Sequence, residues 1–320
     1  MVRPEAQAAR SPEDPELAQI AATIMRADPQ GSRLSQVFRD TFDQLYDGVH
    51  TGRYSVEQLY KTEKTHFGTL IEINLRREFK DIIEDGDKLD YRIAGFDIDC
   101  KFSITDGRWM LPPESFGLLL LVATADDGRA RWSLGLVRAT KGNRREGVNR
   151  DGKTSLNRAG RQAIYWLFRD AELAENVLLG LDDETRQAIM SPALSGQKRV
   201  NEMFRRVTNR RISRGVVATV AQQKDFMKRV RANGGARTTL AKEGFIIPGG
   251  DYESHRRIAR GLGIAVPGPG EFVSAQVVPA APGDQATVRL GGSLWRVAKP
   301  GEPVAVAAPQ LPKTNKNPTE

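Results

Sequence analysis

Two carboxylates and an amine occur at a spacing that suits the hydrolysis of a phosphodiester. Asp99 and Lys101 stand two residues apart in the stretch GFDIDCKFS (residues 95–103), and Asp90 precedes Asp99 by nine residues. Side chains two positions apart on a β-strand share one face, so Asp99 and Lys101 would point the same way while Cys100 joins the apolar face. Charges on a largely buried strand are costly unless they pair or hold a metal. This face is therefore either an ion-pair cluster or a functional site.

A carboxylate at the start of one strand, followed by Asp-x-Lys on the next, is the pattern of a metal-dependent nuclease. Two converging carboxylates bind Mg²⁺, which prefers oxygen ligands. A neighbouring lysine ammonium can contact the scissile phosphate and the attacking water. The pattern therefore predicts a Mg²⁺ site on Asp90 and Asp99, with Lys101 beside it.

Two further acids are ambiguous at the level of sequence. Glu72 lies in the predicted helical stretch GTLIEINL, where it either faces a cleft or forms an (i, i+4) ion pair with Arg76. Asp97 shares the polar face of Asp99 but lies further back along the strand, so it is either a neighbour of the site or a solvent-exposed group. The residue types alone leave both alternatives open for each acid.

Two other chemistries are disfavoured by the residues present. His50, His66 and His255 are scattered without the spacing of zinc ligands. In the stretch LYDG (residues 45–48), Leu45 stands where nucleotidyl-transferring ligases of the K-x-D-G type have their lysine nucleophile. We therefore predict neither a zinc site nor covalent nucleotidyl transfer.

Hydrophobic periodicity predicts the elements that must hold the acidic residues and the lysine. The predicted helices cover residues 15–50, 65–80 and 156–170. The predicted strands cover residues 91–104, 117–124 and 131–139. Helices and strands mixed along the chain in this way indicate an α/β (α+β) fold class.

The composition is that of a globular protein, with 39% hydrophobic and 28% charged residues among 320. The longest apolar run, GLLLLVATA, is far shorter than the roughly 20 residues that span a bilayer, and the N-terminal stretch shows no apolar export signal. The single cysteine, Cys100, excludes an intramolecular disulfide and fits a reducing compartment. We expect a cytoplasmic protein without a membrane partner.

Basic charge is concentrated in one segment of the chain. The net charge is +8, but residues 196–242 contain thirteen Lys and Arg against two acids, a net charge of +11, so the remainder is slightly acidic. Concentrated positive charge usually meets a polyanion, although a solvated basic face is the alternative. Because aromatic residues are sparse in this segment, we predict double-stranded rather than single-stranded nucleic acid as the partner.

The stretch KDFMKRVRANGGARTTLAKEGF predicts a helix-turn-helix in this basic segment, with an ordinary helical hairpin as the alternative. A helix over residues 223–232 and a second over residues 236–243 would be joined by the Asn-Gly-Gly turn. In a major groove, the second helix would present Arg237 to guanine and Thr238 and Thr239 to base or phosphate. The predicted DNA contacts are Arg205, Arg206, Arg210, Arg211, Lys228, Arg231, Arg237, Thr238, Thr239 and Lys242.

Long blocks of the sequence resemble the NaeI-type restriction endonucleases, a type IIE family. The blocks are RDTFDQLYDG, TGRYSVEQLYKTEKTHFGTLIEINLRREF, DYRIAGFDIDCKFS, WMLPPES, RVNEMFRRV and VATVAQQKDFMKRVRANGGAR. The resemblance covers nearly the whole chain, with departures at the N-terminus and in residues 139–156 and 248–257. It implies an N-terminal restriction-endonuclease-like PD-(D/E)xK core, with a mixed sheet flanked by helices, and a C-terminal CAP-like winged helix-turn-helix domain.

The resemblance also implies a set of site residues. By position, the family's catalytic residues fall on Glu72, Asp90, Asp99 and Lys101, and the three acids would hold Mg²⁺. Asp97 has no acidic counterpart in the family, which favours its interpretation as a group without a role in the site.

The implied activity is cleavage of double-stranded DNA at the palindrome GCCGGC by a homodimer. A second DNA copy, bound to the C-terminal domain, would act as an effector. A DNA-binding regulator whose N-terminal domain has lost catalysis is the alternative.

The resemblance and the composition together divide the chain into segments. We expect disorder in residues 1–15 and 311–320, and a linker over residues 171–197 that ends in SPALSGQ. The endonuclease domain would cover residues 16–170, and the DNA-binding effector domain residues 198–310.

Overall fold

The structure is a computed structural model that describes residues 13–87 and 89–312. Its helices are α1 (Pro15–Ala27), α2 (Ser32–Tyr46), α3 (Gly48–Thr51), α4 (Lys61–Glu78), α5 (Arg158–Gln162), α6 (Asp183–Met190), α7 (Gly196–Arg206), α8 (Arg214–Ala221), α9 (Ala236–Ala241) and α10 (Glu253–Gly261). Its strands are β1 (Ile83–Asp85), β2 (Tyr91–Ile93), β3 (Phe96–Phe102), β4 (Leu119–Asp126), β5 (Arg131–Arg138), β6 (Tyr165–Glu172), β7 (Ile212–Ser213), β8 (Phe245–Ile246), β9 (Glu271–Phe272), β10 (Ala275–Pro279), β11 (Val288–Leu290) and β12 (Ser293–Val297).

The chain folds into two compact units. Unit 1 comprises the described parts of Met1–Leu45 and Leu59–Ala174, and unit 2 comprises Tyr46–Gln58 and the described part of Glu175–Glu320. The short helix α3 therefore belongs to unit 2, although the chain on either side of Tyr46–Gln58 belongs to unit 1. Within the described ranges, no helix has the length and apolar character needed to cross a membrane.

The domain bounds expected from the sequence (16–170, 171–197 and 198–310) stay a prediction. Of the segments expected to be disordered, residues 1–12 and 313–320 lie outside the described residues. Residues 13–15 and 311–312 are described, and α1 begins at Pro15.

A six-stranded mixed sheet organises unit 1, in the order β1-β2-β3-β4-β5-β6. Strands β3 and β4 are parallel, and every other neighbouring pair is antiparallel. Helix α4 buries Phe67, Ile71 and Leu75, which are spaced four residues apart on one side of the helix. The Phe67 ring lies 4.6 Å from that of Phe102 on β3, so α4 packs against the apolar face of that strand. The mixed α/β class predicted from the sequence is confirmed.

Two predictions for unit 1 are wrong. The single strand expected over residues 91–104 is a hairpin, because Ala94 and Gly95 adopt positive φ angles of 53° and 85° and form a two-residue turn between β2 and β3. The helix expected over residues 156–170 is only the short α5, followed by β6. The sequence YWLFRDAE of β6 begins with residues that favour strands, and its pairing with β5 fixes it in the sheet.

Unit 2 combines helices with small antiparallel sheets, one in the order β11-β12-β10-β8 and one of β7 with β9. Helices α7, α8 and α9 contribute Phe204, Val217 and Leu240 to one buried core. The helix expected over residues 223–232 is wrong, because only Phe226–Arg229 forms a 3₁₀ turn. Helix α8 ends at Ala221, and its C-cap residue Gln222 adopts a left-handed conformation (φ 49°) that interrupts the helical chain. The second predicted helix forms as α9, slightly shorter than expected.

Candidate active site

The hairpin of β2 and β3 places Asp90 beside Asp99. The strand register pairs Tyr91 with Ile98, so the residue before Tyr91 lies opposite the residue after Ile98. The Oδ2 atom of Asp90 accepts a hydrogen bond from the Cys100 N–H at 2.9 Å, which fixes the carboxylate against β3. The tight turn thus brings two acids that are nine residues apart in sequence into contact.

Lys101 bridges these two aspartates. Its Nζ donates to Asp99 Oδ1 at 2.6 Å and to the carbonyl oxygen of Cys100 at 3.0 Å, and it lies 3.5 Å from Asp90 Oδ2. Burial disfavours the ammonium form, but the hydrogen bond to Asp99 and the nearby negative charges outweigh it and raise the pKa of Lys101. The lysine is therefore held as a cation.

Asp99 is the most deeply buried of the three, with a side chain only 5% exposed. Burial and the neighbouring Asp90 carboxylate raise the pKa of Asp99 to about 7, although Lys101 acts in the opposite direction. Its Oδ2 atom is buried and has no hydrogen-bond partner among the described residues. A buried carboxylate oxygen without a hydrogen-bond donor is stabilised by binding a cation or a proton.

Glu72 approaches the cluster from α4. Its carbonyl oxygen accepts a hydrogen bond from Tyr91 Oη at 2.7 Å, and its carboxylate lies 3.8 Å from Arg76. Burial and then the charge of Asp90 raise the pKa of Glu72, so the carboxylate senses Asp90 as well as the arginine. The ion pair and the position near the site, which were alternatives at the level of sequence, occur together.

Two residues near the site, Arg76 and Tyr91, were not assigned a place there by the sequence analysis. The Arg76 guanidinium donates to the carbonyl oxygen of Asp90, pairs with Asp85 at 2.9 Å and lies 5.5 Å from the centre of the Tyr91 ring. Together the two side chains tie α4 to the start of β2. Their proximity to Glu72 and Asp90 along the chain was a signal, but the contacts themselves depend on how α4 packs on the hairpin.

Asp97 has partners of its own. It lies opposite Arg92 in the strand register, with 3.4 Å between its Oδ1 and Arg92 Nε. The same oxygen accepts a hydrogen bond from the Asp87 N–H at 3.4 Å. Its ion pair is thus with an arginine on β2 and not with Lys101.

The donor chemistry at Asp90 and Asp99 fits a divalent cation. Both are carboxylates, the hard oxygen donors that Mg²⁺ prefers, and Asp99 Oδ2 is free to bind. Across residues 13–87 and 89–312, however, no three His, Cys, Asp or Glu side chains lie close enough together to hold a metal ion. The structure thus does not bring Glu72 into one ligand set with Asp90 and Asp99.

Nearly the whole chain matches one protein family. The family model described as restriction endonuclease NaeI matches residues 18–306. The chain belongs to this family. The type II restriction enzyme NaeI of Lentzea aerocolonigenes is 49% identical over 310 residues, which cover 94% of this chain and 95% of that relative. The resemblance found in the sequence blocks is confirmed, and the chain is a type II restriction endonuclease, a site-specific deoxyribonuclease.

Just over half of the cations in the basic segment of this NaeI-family enzyme, residues 196–242 of unit 2, are paired with acids within the unit. Seven of its thirteen Lys and Arg are in ion pairs: Arg205 with Glu202 and Glu243, Arg206 with Glu202, Arg210 with Glu175, Arg211 with Glu271, Arg214 with Asp251, and Lys228 and Arg229 with Asp225. Five of the predicted DNA contacts (Arg205, Arg206, Arg210, Arg211 and Lys228) are among them. These side chains already have a counter-charge.

The three residues predicted to read bases also have hydrogen-bond partners within unit 2. Arg237 donates through Nε to the carbonyl oxygen of Ile247 at 2.8 Å, and burial lowers its pKa. The hydroxyl of Thr238 donates to the carbonyl oxygen of Ala232, and that of Thr239 donates to Gly235 at 3.3 Å. Each of these bonds holds the start of α9 in place.

Four exposed cations of the segment have no ion-pair or side-chain hydrogen-bond partner within the described chain: Lys198, Lys224, Arg231 and Lys242. Arg231 and Lys242, both predicted DNA contacts, flank α9. Of the ten predicted contacts, five are thus ion-paired and three are hydrogen-bonded to backbone carbonyls, and two are free cations beside α9.

Proposed function

We propose that this enzyme hydrolyses both strands of a GC-rich palindrome, GCCGGC, in a Mg²⁺-dependent reaction carried by Asp90, Asp99 and Lys101. The observation that carries the proposal is the Lys101 ammonium hydrogen-bonded to a buried aspartate beside a second aspartate. Type II restriction endonucleases generally use divalent metal ions, which supports the choice of cofactor. A pure DNA-binding protein has no use for such a cluster on buried elements.

Each residue of the cluster has a defined task in this proposal. Asp90 and Asp99 would hold the cation, which when bound supplies positive charge against the charge that develops on the phosphate. Glu72, the third acid of the predicted set, lies beside this pair and not in one ligand set with it. Lys101, kept cationic by Asp99, contacts a phosphate oxygen and orients the attacking water. The water oxygen forms the new bond to phosphorus as the bond to the leaving oxygen of the DNA breaks. Arg76 and Tyr91 position Asp90 and Glu72 without touching DNA.

We further propose that the enzyme is a homodimer with an effector-DNA site in unit 2. A twofold dimer matches a palindrome, because each protomer then meets the same half-site. The sequence of α8, α9 and then the strands β8, β10, β11 and β12 supports a CAP-like winged helix-turn-helix in unit 2, with α10 and β9 inserted between β8 and β10. Arg231 and Lys242 flank α9. A cytoplasmic location suits a DNA substrate and the free Cys100.

Incubation of the purified protein with a sequenced plasmid and Mg²⁺ tests the activity, and mapping of the cut ends tests the site. We expect cuts at GCCGGC that disappear in EDTA. The variant K101A should retain DNA binding but lose cleavage, because the phosphate contact and the orientation of the water are lost. Undiminished cleavage by K101A would remove the assigned role, and binding without any cuts by the wild-type protein would favour a regulator.

The effector proposal has its own experiment. A plasmid with a single site should be cut slowly, and a short duplex containing the site should accelerate the reaction. A duplex of the same length and composition without the site is the control. Equal rates with both duplexes would contradict an effector site.

A further inference from the structure

A second basic segment lies in unit 1, between β5 and β6. Residues 140–161 contain seven Lys and Arg against two acids, a net charge of +5. The segment is named the basic hairpin here. Most of it lies in residues 139–156, where the chain departs from the sequence blocks that resemble the family.

The cations of the basic hairpin are free, unlike most of those in residues 196–242. Five of the seven are exposed and have neither an ion pair nor a side-chain hydrogen bond within the described chain: Lys141, Arg145, Arg150, Lys153 and Arg158. Two acids of the same segment, Glu146 and Asp151, are also exposed but do not pair with them. The positive charge therefore remains available to an external anion.

The backbone of the basic hairpin is ordered by hydrogen bonds within the segment and to Leu111, which lies before β4. Thr154 exchanges two with Leu111, at 2.8 and 3.0 Å, and the Arg145 N–H donates to Ser155 at 2.9 Å. At the tip, the Asn149 side chain accepts from the backbone N–H groups of Asp151 and Lys153 at 3.0 and 2.8 Å. The backbone that carries the cations is thus already ordered before a ligand binds, which lowers the conformational entropy lost on binding.

Strand register places the start of the basic hairpin near the catalytic cluster. Asp99 on β3 pairs with Leu120 on β4, and Leu120 pairs with Val137 on β5. The chain leaves β5 after Arg138, one residue further on. Because neighbouring strands lie about 4.8 Å apart, the departure point is about 10 Å from the strand position of Asp99. A duplex whose phosphate lies at Asp99 has neighbouring phosphates within reach of this segment.

We propose that the basic hairpin binds the substrate duplex beside the scissile phosphate, with Arg145, Arg150 and Lys153 on backbone phosphates and the exposed tip around Val148 facing a groove. This inference rests on the proposed function and adds to it the surface that holds the substrate. The two arms of this loop run antiparallel and are joined by the bridge between Arg144 and Leu156, although neither arm is a regular strand. A major groove admits a two-stranded ribbon of this kind. A second copy of this segment does not fit as the occupant, because two surfaces of charge +5 repel each other.

The experiment compares R145Q, R150Q, K153Q and their triple variant with the wild-type protein, using a duplex that contains one GCCGGC site. R129Q is the control for the loss of an exposed cation elsewhere on unit 1: Arg129 is 70% exposed, lies 3.8 Å from Asp170 in an ion pair, and stands in the turn between β4 and β5, at the other end of the sheet. We expect the triple variant to lose about tenfold or more in kcat/KM, through KM and not kcat. R129Q should resemble the wild-type protein. Thermal melting of each variant checks that the fold is intact.

Binding without metal separates this inference from the proposed function. The same proteins are titrated with a labelled duplex in EDTA over a range of salt concentrations. Each lost phosphate contact should reduce the slope of log K against log salt by about 0.9. Such a reduction supports the inference even if the wild-type protein cuts nothing, in which case only the proposed function fails. Slopes and KM values equal to those of R129Q would overturn the inference.

Discussion

The two basic regions of this enzyme hold their charge in opposite ways. In residues 196–242 of unit 2, seven of thirteen cations are paired with acids, and Arg199 and Arg237 donate to backbone carbonyls. In the basic hairpin of unit 1, five of seven cations have no such partner within the described residues. The region with the larger net charge thus has the smaller share of free cations.

The difference shows that a count of Lys and Arg does not measure the charge that a ligand meets. A paired arginine fixes two elements together and its field is largely cancelled nearby, whereas a free arginine keeps its field for a phosphate. Exposed ion pairs contribute only about 0–1 kcal/mol, so DNA can displace them at a modest cost. The paired residues of unit 2 are therefore weaker candidates for DNA contacts than the free ones.

The largest predicted effect on cleavage involves neither basic region but the buried Asp99 of the catalytic cluster in unit 1. D99N should lower kcat/KM by more than about 100-fold. Substitution of a residue that only supports a metal ligand typically costs about 10–100-fold, and a larger loss is expected for a ligand itself. D97N is the matched control, since Asp97 lies on the same strand and pairs with Arg92, and it should stay within about threefold of wild type. Cleavage kinetics on one duplex measure both. Equal losses in the two variants would contradict the distinction between these acids.

The second largest effect concerns the protonation of His255, which would place another positive charge in the interior of unit 2. His255 is only 3% exposed. Its Nδ1 accepts a hydrogen bond from the Gly249 N–H, and its Nε2 faces the carbonyl oxygen of Pro312. Arg237 and the ring of Tyr252 lie beside the imidazole. Burial and then the charge of Arg237 lower the pKa of His255 to about 4. The neutral side chain therefore stabilises the fold above pH 6.5, and this stability is lost as the pH falls towards 4.

The expected loss of stability at pH 4 is about 2–3 kcal/mol, from the pKa difference between the unfolded and folded chain. Denaturant unfolding at a series of pH values measures it. H255Q, which does not titrate, should show a shallower dependence between pH 6.5 and 4. An unchanged dependence in H255Q would assign the acid sensitivity to other groups.

A smaller effect, on the binding of DNA, should distinguish the free cations of unit 2 from its paired ones. The double variant R231Q/K242Q should weaken the binding of effector duplex and reduce the salt slope by about 1 for each charge. R206Q removes one charge that Glu202 already neutralises, so we expect a smaller change per residue. Titrations in EDTA measure both. A larger change per residue in R206Q would reverse the proposed order of these contacts.

The smallest effect concerns the paired arginines as structural residues. Arg205 bonds both Glu202 and Glu243, the latter at 2.6 Å, and joins α7 to the end of α9. R205A should lower the free energy of unfolding by about 0.5–1 kcal/mol, because the pairs are partly exposed. R206A, which breaks one exposed pair, should cost less. Thermal unfolding of the two variants gives the comparison, and equal stabilities would show that the bridge to Glu243 contributes nothing.

The sequence predicted the strand residues of the candidate site more reliably than their surroundings. The period of two along β3 correctly separated Asp99 and Lys101 from Cys100, because side-chain alternation is a local property of a strand. It did not predict the β2–β3 turn, since Ala94 is an unusual residue at positive φ. It also did not predict strand β6, because the helix predicted over residues 156–170 covers most of that strand. The roles of Glu72, Asp90, Asp99 and Lys101 stay predictions.

By itself, the sequence determined the family, the mixed α/β class and the residue types that can hold a cation beside a lysine. Only the tertiary structure decided which charges are free, because an ion pair forms over a few ångströms between residues that are distant along the chain. Arg205 meets Glu243 and Arg210 meets Glu175 across more than thirty residues, and Asp90 meets Asp99 through a turn. Local periodicity carries no record of such contacts, so the free charge of the basic hairpin becomes visible only in the folded chain.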